Sequence, residues 1–259
     1  MIPLAKKSLG QNWLNSPGAL AKIIEISKLD STDLVLEIGP GLGALTEKIL
    51  ETGASVLAIE KDHRLIEFLK TKFAKYIETK QLILQEGDIL KIDLGQLIGS
   101  NQYKLIANLP YYITGQVLRL FLSTKFKPSL ACLLVQKEVA ERLVAKNNKE
   151  SLLSLSVKAY GLPSYIKTVK RGSFNPSPKV DSAIILIDNI STKFFKKITE
   201  ETFFTLIKKG FGSKRKMLKT NLNLKDEIFL KCHLSPKIRA EDLTLTDWHC
   251  LITEINSKT

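Results

Sequence analysis

Five short apolar runs alternate with amphipathic stretches in the first half of the chain, and this alternation limits the folds available to it. The runs are rich in Val, Ile and Leu, as buried strands are. The stretches between them repeat apolar residues at steps of three and four, which is typical of helices with one buried face. The pattern predicts βαβ units and a parallel sheet with helices on both faces. The predicted strands are residues 33–38, 55–60, 82–86, 103–109 and 129–136.

Two further apolar runs, residues 166–174 and 182–188, are too close together to be joined by a crossover helix. They are therefore predicted to form an antiparallel pair at the edge of the sheet. From about residue 192 onward the sequence shows only short helical patterns. We predict an α/β fold with a seven-stranded, mostly parallel sheet in residues 1–190, followed by a small all-helical domain in residues 191–259.

Composition narrows the environment in which the chain works. No apolar run approaches the roughly 20 residues that cross a bilayer, so no membrane association is expected. The three cysteines, Cys132, Cys232 and Cys250, are scattered and odd in number. This predicts free thiols in a reducing compartment, and hence a cytoplasmic protein. The three histidines form no cluster, so no metal site is predicted, and nothing in the sequence requires more than a monomer.

Positive charge is concentrated in the second part of the chain. The net charge is +13; residues 1–100 carry 12 Lys and Arg against 13 Asp and Glu, whereas residues 101–259 carry 27 against 13. A field of this kind favours a polyanionic partner, although a lysine-rich solvated surface is the simpler alternative. The residues of this region that would contact the phosphates of such a partner, called the basic strip below, are Lys208, Lys209, Lys214, Arg215, Lys216 and Lys219.

A glycine-rich loop follows the first predicted strand. Gly39, Gly41 and Gly43 lie between that strand and a helix, where glycine lets backbone amides approach a ligand. The spacing G-x-G-x-G differs from the dinucleotide fingerprint G-x-G-x-x-G. The neighbouring acid Glu37 would also repel a pyrophosphate. The loop therefore favours a nucleotide-like ligand without a phosphate.

Acidic residues end the next two predicted strands. Glu60 is placed where nucleotide-binding α/β folds bind a ribose diol, and Asp88 follows the third strand. Each acid alone is as easily a helix cap or a surface residue. Together with the glycine loop, they suit an adenosine ligand with a cationic centre, and S-adenosylmethionine fits better than NAD.

The sequence "NLPYYIT" ends the fourth predicted strand, so Asn108, Leu109, Pro110 and Tyr111 are expected beside that ligand. A nucleobase amine is a poor nucleophile because its lone pair is delocalised into the ring. The Asn108 side chain and the Leu109 or Pro110 carbonyl can accept its hydrogen bonds, while the Tyr111 ring stacks on the base. These groups would act by positioning and electrostatics, without a strong general base. A proline-terminated strand whose tyrosines fill a gap is the structural alternative.

The chain resembles the KsgA/Dim1 family of small-subunit rRNA adenine N6,N6-dimethyltransferases, whose close relatives are the Erm resistance methyltransferases. The resemblance covers nearly the whole length. The segments that carry it are "KKSLGQNWL", "EIGPGLGALT", "IEKD", "GDIL", "NLPYYIT", "VQKEVAERLVA", "FNPSPKVDSA", "KRKMLKTNL" and "RAEDLTLTDW".

The resemblance implies a class I S-adenosylmethionine-dependent methyltransferase with a Rossmann-like catalytic domain. The expected reaction is dimethylation of two adjacent adenosines near the 3′ end of 16S rRNA, with an immature small ribosomal subunit as the partner. By the same resemblance, Asn12 and Leu14 line the methionine end of the cofactor, Gly39 and Asn108 contact it, Glu60 binds the ribose and Asp88 the adenine.

For the target base, the resemblance implies that Asn108 is the catalytic amide, completed by Pro110 and Tyr111, and that Phe174 packs on the base from its other side. Two features depart from the family. Trp13 replaces the usual phenylalanine, and residues 147–156 lack a tyrosine and an arginine that relatives carry there.

Three other functions remain possible from the sequence. An Erm-type enzyme would dimethylate one adenosine of large-subunit rRNA and shares most of the site residues. A catalytically silent RNA-binding assembly factor would keep the fold, but the intact glycines, Glu60, Asp88 and Asn108 oppose it. A nicotinamide-dependent oxidoreductase ranks last, because it predicts G-x-G-x-x-G and no basic strip.

Overall fold

Nine segments form strands in the computed structural model, which describes residues 2–99 and 101–257. They are β1 (Trp13–Leu14), β2 (Leu34–Ile38), β3 (Ser55–Glu60), β4 (Leu82–Glu86), β5 (Lys104–Asn108), β6 (Leu130–Gln136), β7 (Leu162–Val169), β8 (Phe174–Asn175) and β9 (Ser182–Asp188).

Seven of these described strands form one sheet in the order β4-β3-β2-β5-β6-β9-β7. The pairs β4–β3, β3–β2, β2–β5 and β5–β6 are parallel, and β9 runs antiparallel to β6. The five apolar runs of the first half of the chain therefore form the parallel part of the sheet, as predicted. Their continuous apolar character follows from burial on both faces.

The two remaining predicted strands are neighbours at the edge of the sheet, but the first of them ends earlier than expected. In place of the strand predicted at 166–174, the structure has β7 at Leu162–Val169, and the chain leaves the sheet after it. Phe174 joins β8, which pairs with β1 in a separate two-stranded ribbon. Leu14 lies opposite Phe174 in this ribbon, so the N-terminal part of the chain is attached beside the main sheet.

Helices occupy the stretches between the strands and most of the C-terminal region. The described α-helices are α1 (Pro17–Ser27), α2 (Ala44–Leu50), α3 (His63–Lys72), α4 (Ala74–Glu78), α5 (Leu94–Ile98), α6 (Thr114–Ser123), α7 (Lys137–Leu143), α8 (Leu152–Lys158), α9 (Glu200–Gly210), α10 (Leu218–Leu222), α11 (Asp226–Lys231) and α12 (Leu245–Asn256).

Local signals explain where several helices begin. Pro17 occupies the first turn of α1, where its missing amide hydrogen costs nothing. Asp62 caps α3 by accepting a hydrogen bond from the Arg64 amide, and Thr244 and Asp247 form a reciprocal capping box on α12.

The chain divides into two compact units, and the division differs from the predicted domains. One unit contains Met1–Ala140 and Ser164–Ile190; the other contains Glu141–Pro163 and Ser191–Thr259. The boundary after residue 190 coincides with the predicted one, whereas residues 141–163 group with the second unit and not with residues 1–140. Leu155 of α8 and Ala159, the residue that follows this helix, belong to the apolar core of the second unit, which explains why the segment groups with it.

Residues 147–156, where the sequence departs from the family, are attached within the second unit. Lys149 forms ion pairs with Asp242 and Glu241, and the Glu150 amide donates to the Glu241 carbonyl at 2.7 Å. The segment is therefore ordered by contacts to its own unit.

The prediction of three free thiols was also wrong. Cys232, at the end of α11, is joined to Cys250 of α12 by a disulfide, and Cys132 is free and buried in β6. Packing of α11 against α12 brings together two cysteines that are 18 residues apart.

No helix within residues 2–99 and 101–257 is both long enough and apolar enough to cross a membrane.

Candidate active site

The register of the central strands places three predicted site residues next to one another. Ile38 at the end of β2 pairs with Ile59 of β3 and with Ala107 of β5. The next residues along these strands, Gly39, Glu60 and Asn108, therefore meet at one carboxyl edge of the sheet. Open parallel sheets bind their ligands at this edge.

Two cavities open at this edge, and both belong to the first unit. The first has about 750 Å³ of empty space, open solvent included, and is lined by residues 9–13, by Gly39, Gly41 and Glu60, and by residues 108–113. The second, of about 780 Å³, is lined by residues 13–15, by Glu37, Asn108 and Asn175, and by much of the glycine loop. Trp13, Gly39, Gly41 and Asn108 line both.

The glycine loop has a different role at each glycine. Gly39 has a φ of +66°, and a Cβ on it would meet no atom within 4 Å, so this backbone is open to a ligand. A Cβ on Gly41 would lie 2.7 Å from the Trp13 ring, and one on Gly43 would lie 2.5 Å from Phe73. Gly43 lines neither cavity, which means that it serves helix packing rather than the ligand wall.

Glu60 lies at the wall of the first cavity with both carboxyl oxygens engaged by backbone amides. Oε1 accepts from the Asp62 amide at 2.9 Å, and Oε2 accepts from the Gly41 amide at 3.3 Å. Burial raises the pKa of Glu60, since these bonds only partly replace water. The carboxyl group is fixed in place, and its remaining lone pairs can accept the hydroxyls of a diol.

Asp88 is beside the first cavity rather than in its wall. Its neighbours Gly87 and Ile89 line the cavity, whereas its own carboxylate pairs with Lys61 at 2.9 Å and accepts from the Leu90 amide at 3.1 Å. The ammonium of Lys61 holds the pKa of Asp88 below its usual value.

Among the described residues, the Asn108 side chain has one hydrogen-bond partner. Its Nδ2 donates to the Asn12 carbonyl at 3.0 Å, so its Oδ1 remains the acceptor at the junction of the two cavities. The Leu109 amide donates to the Leu134 carbonyl, which fixes the end of β5. The Pro110 carbonyl accepts from the Ile113 amide in the turn that follows.

The two tyrosines of "NLPYYIT" are placed differently. Tyr111 is half-buried, and its hydroxyl shares a 2.8 Å hydrogen bond with the Ser182 hydroxyl. Burial raises the pKa of Tyr111, so the ring is neutral at physiological pH. Tyr112 is 60% exposed and packs beside Gly10, where a Cβ would lie 3.1 Å from its ring.

Glu37 is a buried acid of the second cavity. It is 1% exposed, and its Oε2 has no hydrogen-bond partner among the described residues. Burial raises the pKa of Glu37 to about 8, because the nearby Thr46 hydroxyl offsets only part of the lost hydration. The Trp13 Nε1 also lines this cavity without a partner among those residues.

The remaining predicted site residues are distributed as follows. Leu14 lines the second cavity, but Phe174 is 5% exposed, lies in the apolar core and lines neither cavity. In the basic strip, Lys209 donates to the Leu222 carbonyl and Lys219 pairs with Asp226. Within residues 2–99 and 101–257, the other four members of the strip have no side-chain hydrogen bond or ion pair: Lys208, Lys214, Arg215 and Lys216.

Sequence reasoning did not assign site roles to Trp13, Glu37, Asp62 or Asn175. Trp13 and Glu37 were noted only as a substitution and as a loop neighbour, although both line a cavity. The signal for Asp62 was its position two residues after Glu60. Nothing in the sequence indicated Asn175, which reaches the second cavity through the β1–β8 pairing.

A sheet of this order, with a glycine loop and an acid at the ends of its first two parallel strands, defines a class I methyltransferase. The profile described as "Ribosomal RNA adenine dimethylase" matches residues 3–257. The chain belongs to the ribosomal RNA adenine dimethylase family. The predicted fold class and the resemblance found in the sequence are therefore confirmed.

Individual relatives agree with this family. The chain is 42% identical over 259 residues to "Ribosomal RNA small subunit methyltransferase A" of Dehalococcoides mccartyi, with 96% of this chain and 88% of the relative covered. It is 40% identical to the protein of the same name from Fusobacterium nucleatum, with 93% of each covered.

Solved structures with the same fold include a dimethyladenosine transferase from Plasmodium falciparum. Its TM-score is 0.80 at 29% identity, covering 95% of this chain and 98% of that one. The 23S rRNA methyltransferase ErmE has a TM-score of 0.80 at 21% identity, covering 95% and 100%, and shares the fold.

Proposed function

We propose that this chain transfers methyl groups from S-adenosylmethionine to the N6 amines of two adjacent adenosines near the 3′ end of small-subunit rRNA. The observation that carries the proposal is the Asn108 side chain, whose Nδ2 is bound to the Asn12 carbonyl and whose Oδ1 is left to accept at the meeting point of two cavities. One cavity suits an adenosine and the other opens beside it. The small-subunit rRNA substrate is that of the relatives named above.

The residues present fit the proposed cofactor. When bound, it supplies an electrophilic methyl group on a sulfonium sulfur. Glu60 would accept the ribose hydroxyls, the open backbone at Gly39 would admit the ligand, and Asp88, beside the cavity, would reach the adenine edge. The partnerless Trp13 Nε1 and Glu37 Oε2 offer a donor and an acceptor for the amino-acid end. A cationic ligand also favours the ionised forms of these acids.

The target amine would be held by two acceptors. Asn108 Oδ1 is one, and the Leu109 carbonyl is the better choice for the other, because the Pro110 carbonyl already accepts from Ile113. Both bonds would fix the directions of the two amine N–H bonds, and this would direct the nitrogen lone pair at the methyl group. The half-buried Tyr111 ring would stack on the base. Phe174 stays a predicted second stacking partner, and it would first have to become uncovered.

The second unit would bind rRNA through the basic strip. Lys208 and residues 214–216, whose side chains have no partner in the described part of the chain, can pair with phosphates without breaking an existing side-chain bond. A monomeric enzyme stays a prediction from the sequence. An rRNA substrate supports action in the cytoplasm.

The test is incubation with radiolabelled S-adenosylmethionine and, separately, immature small subunits and protein-free large-subunit rRNA, followed by digestion to nucleosides. We expect label in N6,N6-dimethyladenosine from the small subunit alone. Label only from the large-subunit RNA would contradict the proposed substrate. No label from either, despite measurable cofactor binding, would contradict the proposed enzyme activity and favour a silent assembly factor.

A further inference from the structure

Residues 4–13, called the N-terminal segment here, lie outside the main sheet, and the second half of the segment forms one side of the first cavity. Leu9, Gly10, Gln11, Asn12 and Trp13 all line the cavity. The segment also supplies the Asn12 carbonyl that holds Asn108. Only its last residue, in β1, takes part in a strand pairing. Some other contact must therefore hold the rest of the segment against the cavity.

That contact is concentrated on one carboxylate. The side chain of Asp62 is 1% exposed; it accepts from Gln11 Nε2 at 3.0 Å and lies 3.7 Å from the Lys6 ammonium. Arg64 donates to both Asp62 oxygens, at 3.0 and 2.7 Å, and one of its nitrogens also donates to the Leu4 carbonyl at 3.2 Å. Asp62 and Arg64 thus bind the N-terminal segment at three points.

The same residue is bonded to the cofactor wall. The Asp62 backbone amide donates to Glu60 Oε1 at 2.9 Å, so the residue that binds the segment also orients the proposed ribose acceptor. The Arg64 guanidinium holds the pKa of Asp62 well below its usual range, which keeps it a charged acceptor at all physiological pH values. Charge-assisted bonds of this kind are stronger than neutral ones.

We propose that Asp62 is a positioning residue that fastens the N-terminal segment over the cofactor cavity, so that its contacts with Gln11, Lys6 and Arg64 set the affinity and release of the cofactor. This inference rests on the proposed function, in which S-adenosylmethionine occupies the first cavity. Asp62 does not touch the reacting atoms; it acts through Glu60 and through the segment.

Asp62→Asn is the variant that separates fastening from helix capping. Asn caps a helix as well as Asp, so α3 keeps its first turn. If the asparagine oxygen keeps the cap at the Oδ1 position, the new NH2 group replaces Oδ2 and faces the donors of Gln11 and Arg64. The negative charge that attracts the Lys6 ammonium is also lost. The reciprocal double variant Gln11→Glu/Asp62→Asn restores an acceptor on the other side of the pair. Asp93→Asn, at the exposed cap of α5, is the matched control for charge and cap.

The measurements are hydrogen exchange of residues 4–13 in the full chain without ligand, and the Kd for S-adenosylhomocysteine. Asp62→Asn should speed exchange of the segment about tenfold and raise the Kd about tenfold, as loss of a buried charge-assisted bond predicts. The double variant should recover most of both changes, and Asp93→Asn should match the unmodified chain. At saturating S-adenosylmethionine, the kcat of Asp62→Asn should lie close to that of the unmodified chain. Its KM for the cofactor should remain raised.

Several outcomes would overturn the inference. Unchanged exchange in Asp62→Asn would show that the carboxylate does not fasten the segment. Faster exchange of the segment with an unchanged Kd would show that the segment does not control cofactor affinity. If exchange in α3 rose as much as exchange in the segment, the effect would come from loss of the helix cap. If the unmodified chain did not bind S-adenosylhomocysteine, the proposed function would fail. The exchange rates without ligand would still decide whether Asp62 fastens the segment.

Discussion

The side-chain amide of Asn108 is bonded to the backbone carbonyl of Asn12, 96 residues earlier in the chain, at 3.0 Å. Because Nδ2 is the donor in this bond, Oδ1 is the side-chain atom left to accept a hydrogen bond from a ligand. A residue at the end of the central strand β5 thus receives its orientation from the N-terminal segment. The orientation of the Asn108 acceptor therefore depends on the segment that forms one side of the cavity.

We expect Asn108→Ala to lower methyl transfer by about 100-fold or more, because positioning of an amine within a fraction of an ångström contributes on that scale. Cofactor affinity should stay largely intact, because the wall formed by Gly39 and Glu60 is untouched. Single-turnover methylation and calorimetric titration of cofactor separate the two effects. Asn108→Asp keeps an acceptor but loses the donor to Asn12, so it should also be impaired. Near-normal methylation by the alanine variant would defeat the proposed role.

Glu60→Gln should weaken cofactor binding about tenfold or more. The Asp62 and Gly41 backbone amides donate to different oxygens of Glu60, and glutamine has only one oxygen. One of these buried amides would therefore face the glutamine NH2 group, at a cost of about 1–3 kcal/mol. The matched control is Glu86→Gln. Glu86 is paired with Glu60 in the β3–β4 register but is exposed and lines neither cavity. Equal cofactor affinity in the two variants would show that Glu60 is not a ligand residue.

Glu37→Gln should flatten the dependence of folding stability on pH. The folded protein keeps a proton on Glu37 up to a pKa of about 8, whereas the unfolded chain loses it near the ordinary value of 4.5. Between these values the folded state binds the extra proton, so the contribution of Glu37 to stability is lost as pH rises. The largest slope is about 1.4 kcal/mol per pH unit.

The measurement for Glu37 is urea unfolding at several pH values between 5 and 8. The free energy of unfolding of the variant, minus that of the unmodified chain, should increase as pH rises. A difference between the two chains that is the same at every pH does not affect this test. Glu78→Gln, at the exposed end of α4, is the control and should run parallel to the unmodified chain. A parallel curve for Glu37→Gln as well would show that this acid is ionised in the folded protein.

The sequence predicted the parallel strands and the main site residues for one physical reason. Buried parallel strands read as continuous apolar runs, and their carboxyl ends meet at one edge. Gly39, Glu60 and Asn108 could therefore be placed together before their pairing was known. Helices α9 to α12 were predictable because their apolar faces repeat at helical spacing.

The contacts that the sequence did not predict are between polar residues far apart in the chain. No periodicity links Gln11 to Asp62, and the β1–β8 pairing that brings Asn175 to the second cavity involves strands of two residues each. The grouping of residues 141–163 with the second unit depends on side-chain packing of Leu155 and Ala159. Burial of Glu37 depends on helix packing over its strand, because an acid within an apolar run has no burial signal of its own.

Reversal of charge at Lys214, Arg215 and Lys216 should weaken binding of small-subunit rRNA and flatten its salt dependence. Each phosphate contact releases about 0.7 to 0.9 counterions, so loss of three contacts should reduce the slope of log K against log salt by about 2 to 3. The control is reversal at Lys28, Lys75 and Lys80, three exposed lysines of the first unit. Filter binding at four or more salt concentrations gives the slopes. Equal slopes for the two triple variants would mean that the basic strip only solvates the second unit.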